Sequence, residues 1–439
     1  MRNASEGRAF AASNSQLHRP KGEHVAAFEE VAVTFPSAAG SVALAGTLVV
    51  PSERPDSPLA VLVSGTGPID RDVTFVGHAL FRVLAHALAE AGIASLRFDK
   101  RGVGESEGDF SSAGPGDFVA DVVGAMEYVV GQTRFSRDRV GLIGHSEGGM
   151  VALTAAARRP GTPYCVLLAS PLLSGTDNLV RSFALLARGG LERDRTFDRY
   201  VSELETLVKG ARSGMAPESR TRALDLAARL APRIFNERTK VILGASALSG
   251  LQFLNLLSSP CLETSLSWDP SRVAPHVKCP VLVIYGTKDV QAPALENLAA
   301  ARLLIDRLGR RDWVVRELGG MNHAFQRCQT GMPDEYACID HVMGHEVVGE
   351  VAAWIASTTH AERCNPVAGG RQGRGGPGAV SPASAPDAFS RRTNDESDAH
   401  AVSRGRSPVR VGLDDKRPRP GFGPAGPGGR ARRCRGRRD

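Results

Sequence analysis

The feature that most constrains this 439-residue chain is an alternation of two kinds of segment. Short, continuously apolar runs recur: LAVLVSG (59–65), IASLRFD (93–99), VGLI (140–143), YCVLLAS (164–170), CPVLVIYGTKD (279–289) and DWVVREL (312–318). Between most of them lie stretches with helical spacing, such as HALFRVLAHALAEAG (78–92), closed by a glycine, and GDFVADVVGAMEYVVGQT (116–133). A strand with one wet face alternates apolar and polar residues. A strand apolar throughout must be covered on both faces, which is the condition of a parallel sheet between two layers of helices. Strand–helix–strand order then gives right-handed crossovers and an α/β, mostly parallel, doubly wound sheet. Two earlier segments, EEVAVTF and SVALAGTLVVP, read as a leading antiparallel pair.

The rhythm breaks between about 172 and 270, where charged, helix-forming sequence carries no strand run. That region reads as a helical insertion, or cap, before the sheet resumes at 279. A helix (294–309), the strand at 312–318 and a final helix at 345–358 complete the pattern. Residues 1–24 are polar and unpatterned and are expected to be disordered. Residues 361–439 are dominated by Gly, Pro, Arg, Ser and Ala, which cannot bury enough apolar surface to offset the entropy of ordering. They too are expected to be disordered.

The formal charge of +7 would by itself suggest a nucleic-acid binder. Its distribution says otherwise. Residues 361–439 hold 17 basic and 8 acidic residues, leaving 37 and 39 for the first 360. The body is near neutral, and the tail has only Phe389 and Phe422 as aromatics, so no base-stacking platform is apparent. The tail reads as a solvated appendage, and no nucleic-acid partner is expected. No run of about 18 apolar residues signals a membrane span, and the N-terminus lacks the apolar core of a secretory signal. The seven cysteines include no Cys-x-x-Cys pair, and their odd number and wide spacing fit a reducing compartment. A cytoplasmic location is expected, with Cys328 and Cys338 as free or buried thiols rather than a pair.

One stretch carries chemistry. RVGLIGHSEGGMVALTAAA (139–157) runs from an apolar strand through Gly-His-Ser-Glu-Gly into alanine-rich helix. Glycines 144 and 148, without a Cβ, let the backbone turn tightly around Ser146. This is the Gly-x-Ser-x-Gly pattern of a nucleophile elbow. A serine hydroxyl needs a base, usually a histidine held by a carboxylate. In chain order, Asp289 follows the apolar strand at 279–286, and His323 follows the strand at 312–318 in a loop loosened by Gly319 and Gly320. The other histidines fit less well: His145 is expected to pack beneath the elbow, His276 lies before a strand, and His341 and His345 lie near the last helix. For a developing oxyanion, the donors expected are the backbone N–H of Glu147 and that of Thr66 in SGTGP (64–68), with Gly65 as the near alternative. In FDKRGVGESEG (98–108), Asp99 and Arg101 read as a pair bracing a turn.

These segments, with LAGTLVVP, VSGTGPIDRD, FDKRGVGES, GHSEGG, SWDPSRVAPHVKCPVLVIYGTKDVQ and MNHAFQ, resemble a serine hydrolase of the α/β-hydrolase superfamily. The resemblance spans about residues 28–358 and is nearest to bacterial esterases related to the prolyl oligopeptidase and dienelactone hydrolase groups. It implies an α/β-hydrolase domain over 25–360, a cap at about 172–270, and a Ser146–Asp289–His323 triad. Ser146 stands where dienelactone hydrolases carry cysteine and where dehalogenases and epoxide hydrolases carry aspartate. The β-propeller of the oligopeptidases has no counterpart. The expected activity is hydrolysis of a small-molecule carboxylic ester with no cofactor and no metal. Thioester hydrolysis, acyl transfer and cleavage of short peptides use the same triad. A binding protein acting through its basic tail is the non-enzymatic alternative.

Overall fold

A computed structural model describes residues 28–40, 42–52, 57–132, 135–212, 217–244 and 247–364. The segment expected to be disordered at 1–24 lies outside the described residues, as does all of 361–439 beyond Cys364.

Eight strands form one sheet. In chain order they are β1 (Phe28–Pro36), β2 (Ala43–Pro51), β3 (Leu59–Val63), β6 (Ala94–Phe98), β7 (Val140–His145), β8 (Cys165–Leu168), β9 (Val281–Gly286) and β10 (Trp313–Leu318). Two short strands, β4 (Thr74–Phe75) and β5 (His78–Ala79), pair separately as a small antiparallel ribbon that the sequence pattern did not announce. The spatial order is β1-β2-β6-β3-β7-β8-β9-β10. The β1–β2 and β2–β6 pairs are antiparallel, and every pair from β6 to β10 is parallel.

The central strands are apolar throughout because both faces are covered. Along β3, Leu59, Val61 and Val63 enter one core while Ala60 and Leu62 enter the other. β9 alternates likewise, with Val281, Val283 and Tyr285 on one side and Leu282 and Ile284 on the other. The first core is closed by α2 (Pro115–Gln132), α3 (Glu147–Arg158) and α11 (Ala294–Leu308). The second is closed by α1 (Leu80–Glu90) and α12 (His345–Cys364). α12 runs past the expected end at 358.

Between β8 and β9 the chain forms α4 (Gly175–Arg188), α5 (Arg195–Arg212), α6 (Pro217–Ile234), α7 (Lys240–Leu243), α8 (Gly250–Leu257), α9 (Pro260–Leu266) and α10 (Pro270–Val273). These helices carry a third apolar cluster of their own, built from Phe183, Leu204, Leu230, Phe235 and Phe253 among others. Val290 and Met332, from the loops beyond β9 and β10, belong to the same cluster, so the insertion packs directly on the carboxyl-terminal edge of the sheet.

Candidate active site

β7, β8, β9 and β10 are adjacent and parallel, so the loops leaving them gather at one edge. Ser146 leaves β7, Asp289 follows β9 and His323 follows β10. Sequence positions 143 and 34 residues apart are thereby brought to one place.

Ser146 sits between β7 and α3 with φ +56° and ψ −127°. That conformation is costly for a residue with a Cβ, about 1–3 kcal/mol, and persists only where the surroundings enforce it. Here the enforcement is close backbone packing. A Cβ on Gly144 would overlap the Gly148 carbonyl, and one on Gly148 would overlap Val63 O and lie 2.6 Å from Ser64 O. The elbow is thus wedged against the end of β3. The Ser146 hydroxyl is not engaged as a helix cap. It stands at the N-terminus of α3, where unsatisfied N–H groups and the helix dipole favour negative charge.

Asp289 is fully buried. Its Oδ1 accepts the N–H groups of Gln291 (2.8 Å) and Ala292 (2.9 Å), while Oδ2 faces His323 Nδ1 at 2.8 Å. A carboxylate only accepts, so Nδ1 carries the proton and Nε2 presents its lone pair. The His323 loop is tied to the acid loop: Lys288 N donates to Met321 O (2.9 Å) and Gly320 N to Thr287 Oγ1 (2.8 Å). Beyond His323, the buried Phe325 adopts φ +58°. Asn322 Oδ1 holds that turn by accepting from Ala324 N and Gln326 N.

His145, the residue before Ser146, is buried beneath the elbow. Its ring centroid is 4.8 Å from that of His323, and its Nε2 donates to the His323 carbonyl at 2.9 Å. Burial, reinforced by the neighbouring His323, pushes its pKa down to about 3, so the ring is neutral.

Gly65 packs on the elbow; a Cβ there would lie 3.2 Å from Ser146 Cβ and 3.4 Å from His145 O. Thr66 Oγ1 donates to Glu147 Oε2 at 3.3 Å. The backbone N–H groups of Thr66 and Glu147 therefore belong to segments that flank Ser146. Two residues that sequence reasoning did not single out join them. Lys100 Nζ donates to Gly65 O and lies 3.4 Å from Glu147 Oε1, and Ser265 Oγ from α9 donates to Glu147 Oε2 at 2.9 Å.

The expected Asp99–Arg101 pairing does not occur. Asp99 binds Arg71 through its backbone N (2.6 Å), Nε (3.1 Å) and Nη2 (2.5 Å), and takes Glu105 N at 3.0 Å. Burial alone would raise the Asp99 carboxyl, but these bonds outweigh it and hold its pKa below the usual range. Arg101 turns the other way, onto Asp121 and Asp117 of α2. Asp269, another acid ahead of β9, is an N-cap of α10, accepting from Ser271 N at 3.0 Å. His276 precedes β9, at the far edge of the sheet, and His341 Nε2 accepts from Arg327 N. Cys328 is a free thiol while Cys338 is disulfide-bonded, so the two do not pair with each other.

Comparison with known families agrees with this architecture. A family model described as "Serine aminopeptidase, S33", of the Hydrolase_4 type, matches residues 78–230, about a third of the chain, with Ser146 inside it. The chain has the α/β-hydrolase fold. Among characterised relatives, this chain is similar to esterase EstD of Thermotoga maritima, 24% identical over 313 residues. That match covers 71% of this chain and 65% of EstD. It is also similar to an uncharacterised 31.7 kDa protein of Escherichia coli, 25% identical over 263 residues, covering 59% of this chain and 82% of that one. Among solved structures, the α/β hydrolase GrgF of a Penicillium species aligns with a TM-score of 0.48 at 18% identity, covering 76% of this chain and 99% of GrgF.

Proposed function

We propose that the protein is a serine esterase that cleaves small to mid-size carboxylic esters through an acyl-enzyme on Ser146. The observation that carries this reading is the buried Asp289–His323 pair, at 2.8 Å, in a loop bound to the residue preceding the strained serine. Ser146 Oγ attacks the ester carbonyl as His323 Nε2 takes its proton. Asp289 holds the tautomer and stabilises the imidazolium. The N–H groups of Glu147 and Thr66 stabilise the tetrahedral oxyanion, each worth roughly 3 kcal/mol in comparable sites. His323 returns the proton to the departing alkoxide, and water attacks the acyl-enzyme by the same route. The cap over 172–270 selects the acyl and alcohol groups, and its apolar cluster favours weakly polar ones. The similarity to an esterase supports the ester as substrate.

The family description favours a second reading, removal of N-terminal residues from short peptides. An aminopeptidase must hold a substrate ammonium, and the carboxylate adjacent to the nucleophile is Glu147. That carboxylate is 3% exposed and already engaged by Lys100, Thr66 and Ser265. This argues for the ester.

Among the described residues no helix is long and apolar enough to cross a membrane. The Cys338 disulfide favours an oxidising compartment over the expected cytoplasmic one, since disulfides persist where thiols are not kept reduced.

The test is hydrolysis of p-nitrophenyl esters from acetate to decanoate by wild type and Ser146→Ala. Activity lost in the variant supports the reading, and the chain-length profile sizes the pocket. Equal activity in both would remove Ser146 as nucleophile. Peptide or thioester turnover without ester turnover would move the substrate class. A chain ending at Cys364 that keeps its activity would dispose of the basic tail as the working part.

A further inference from the structure

Lys100 is an unusual place for a cation. It is 6% exposed, with its ammonium 4.9 Å from the Phe118 ring centroid and 5.7 Å from that of Phe110. A buried lysine is expensive unless paired. Its partners are Glu147 and the Gly65 carbonyl, one on each side of the elbow.

The Gly65 carbonyl and the Thr66 N–H belong to one planar trans peptide group and point in opposite directions. Fixing the carbonyl therefore fixes the N–H. With Lys100 on Gly65 O and Glu147 on Thr66 Oγ1, the peptide is anchored at both ends. A cation on the carbonyl also draws electron density through the amide and makes the N–H a stronger donor. Ser265, reaching down from α9, gives Glu147 a further bond. α9 is itself clamped against α4, because a Cβ on Gly175 would overlap Ser265 O.

We infer that Lys100 is a positioning residue for the second oxyanion donor: paired with Glu147 and steadied by Ser265 of the cap, it aims and polarises the Gly65–Thr66 peptide beside Ser146. The inference rests on the esterase reading above and deepens it. Lys100 touches no reacting atom, so its effect belongs to the transition state and not to substrate binding.

The test uses Lys100→Met together with Lys100→Met/Glu147→Gln, the second removing both charges so that no carboxylate is left buried alone. Outright loss of an oxyanion donor costs about 10²–10³ in kcat. A donor kept but poorly aimed should cost less, about 10- to 100-fold in kcat, with KM within about twofold. A trifluoromethyl ketone, whose adduct with the serine bears an oxyanion, should lose affinity by the same factor. The corresponding alcohol, which forms no adduct, should bind as in wild type. Ser265→Ala should move kcat and ketone affinity the same way by less.

A folded double variant with wild-type kcat and ketone affinity would overturn the inference while leaving the esterase reading intact. Equal loss of ketone and alcohol binding would also overturn it, by reducing Lys100 to a structural role. Hydrolysis that survives Ser146→Ala would bring down the esterase reading and this inference together.

Discussion

The imidazole of His145 donates its Nε2–H to the carbonyl oxygen of His323 across 2.9 Å, so the residue before the candidate nucleophile holds the backbone of the candidate base. The bond needs only a neutral ring, and burial keeps the ring neutral down to about pH 3.

That relationship predicts an acid-sensitive fold. The unfolded histidine titrates near 6.5 and the folded one near 3, so between those values the unfolded chain binds more protons. This contribution is fully present above pH 6.5 and is lost as pH falls through the window, at up to about 1.4 kcal/mol per pH unit. His145→Gln keeps a donor for the His323 carbonyl and does not titrate. Denaturant unfolding at pH 7 and pH 5 should show wild type losing roughly 2 kcal/mol more than the variant. Equal losses would mean that His145 is not the acid-labile group.

Asp289→Asn should separate geometry from electrostatics. The amide can still accept from Gln291 N and Ala292 N through its oxygen, so the loop should keep its shape. Its NH₂ would then face His323 Nδ1 and force the proton onto Nε2, leaving no lone pair for the Ser146 hydroxyl. A fall in kcat of about 10⁴ is expected, with the melting temperature little changed. A loss below tenfold would remove Asp289 from the triad.

Gly148→Ala tests the elbow. The new Cβ would overlap the Val63 carbonyl, which is backbone in a central strand and has no rotamer by which to yield. Overpacking of this kind costs about 1–3 kcal/mol or more. Calorimetry should show a clear fall in stability, and residual folded protein should be nearly inactive because the serine has moved. A variant of wild-type stability and activity would mean that the wedge between β3 and α3 is looser than described.

The sheet could be read from the sequence because burial on both faces leaves a continuous apolar run, visible at 59–63 or 281–286 without knowing what covers it. Ser146, Asp289 and His323 could be placed for a similar reason, since each follows such a run. Adjacency misled where direction mattered. Asp99 and Arg101 are two residues apart, yet the turn sends one to Arg71 and the other to Asp121. Lys100 and Ser265 left no signal as partners of Glu147, lying 47 and 118 residues from it, because no local period encodes a contact across that distance. Asn297 was hidden in the same way, as one polar residue on an otherwise apolar helix face.

Asn297 supports the last prediction. It is fully buried in α11. Its Oδ1 accepts Leu172 N (2.8 Å) and Leu173 N (3.0 Å), where the chain leaves the sheet for the cap. Its Nδ2 donates to Asn178 Oδ1 at 2.9 Å, and Asn178 Nδ2 donates in turn to Gln291 O at 3.2 Å, two residues beyond Asp289. One side chain thus ties the cap entrance to the acid loop. Asn297→Ala would orphan the buried Leu172 N–H, at about 1–3 kcal/mol, and the half-buried Leu173 N–H at less, so a loss of roughly 2–3 kcal/mol is expected after partial relaxation. Asn297→Asp keeps both acceptor bonds and loses the two that Nδ2 donates, to Asn178 Oδ1 and, at 3.1 Å, to Pro293 O. Hydrogen exchange should therefore speed up at residues 172–180 in the alanine variant and much less in the aspartate one, while kcat should fall in both through the loosened acid loop. Exchange rates unchanged at 172–180 in Asn297→Ala would mean that the cap entrance is held by its apolar packing alone.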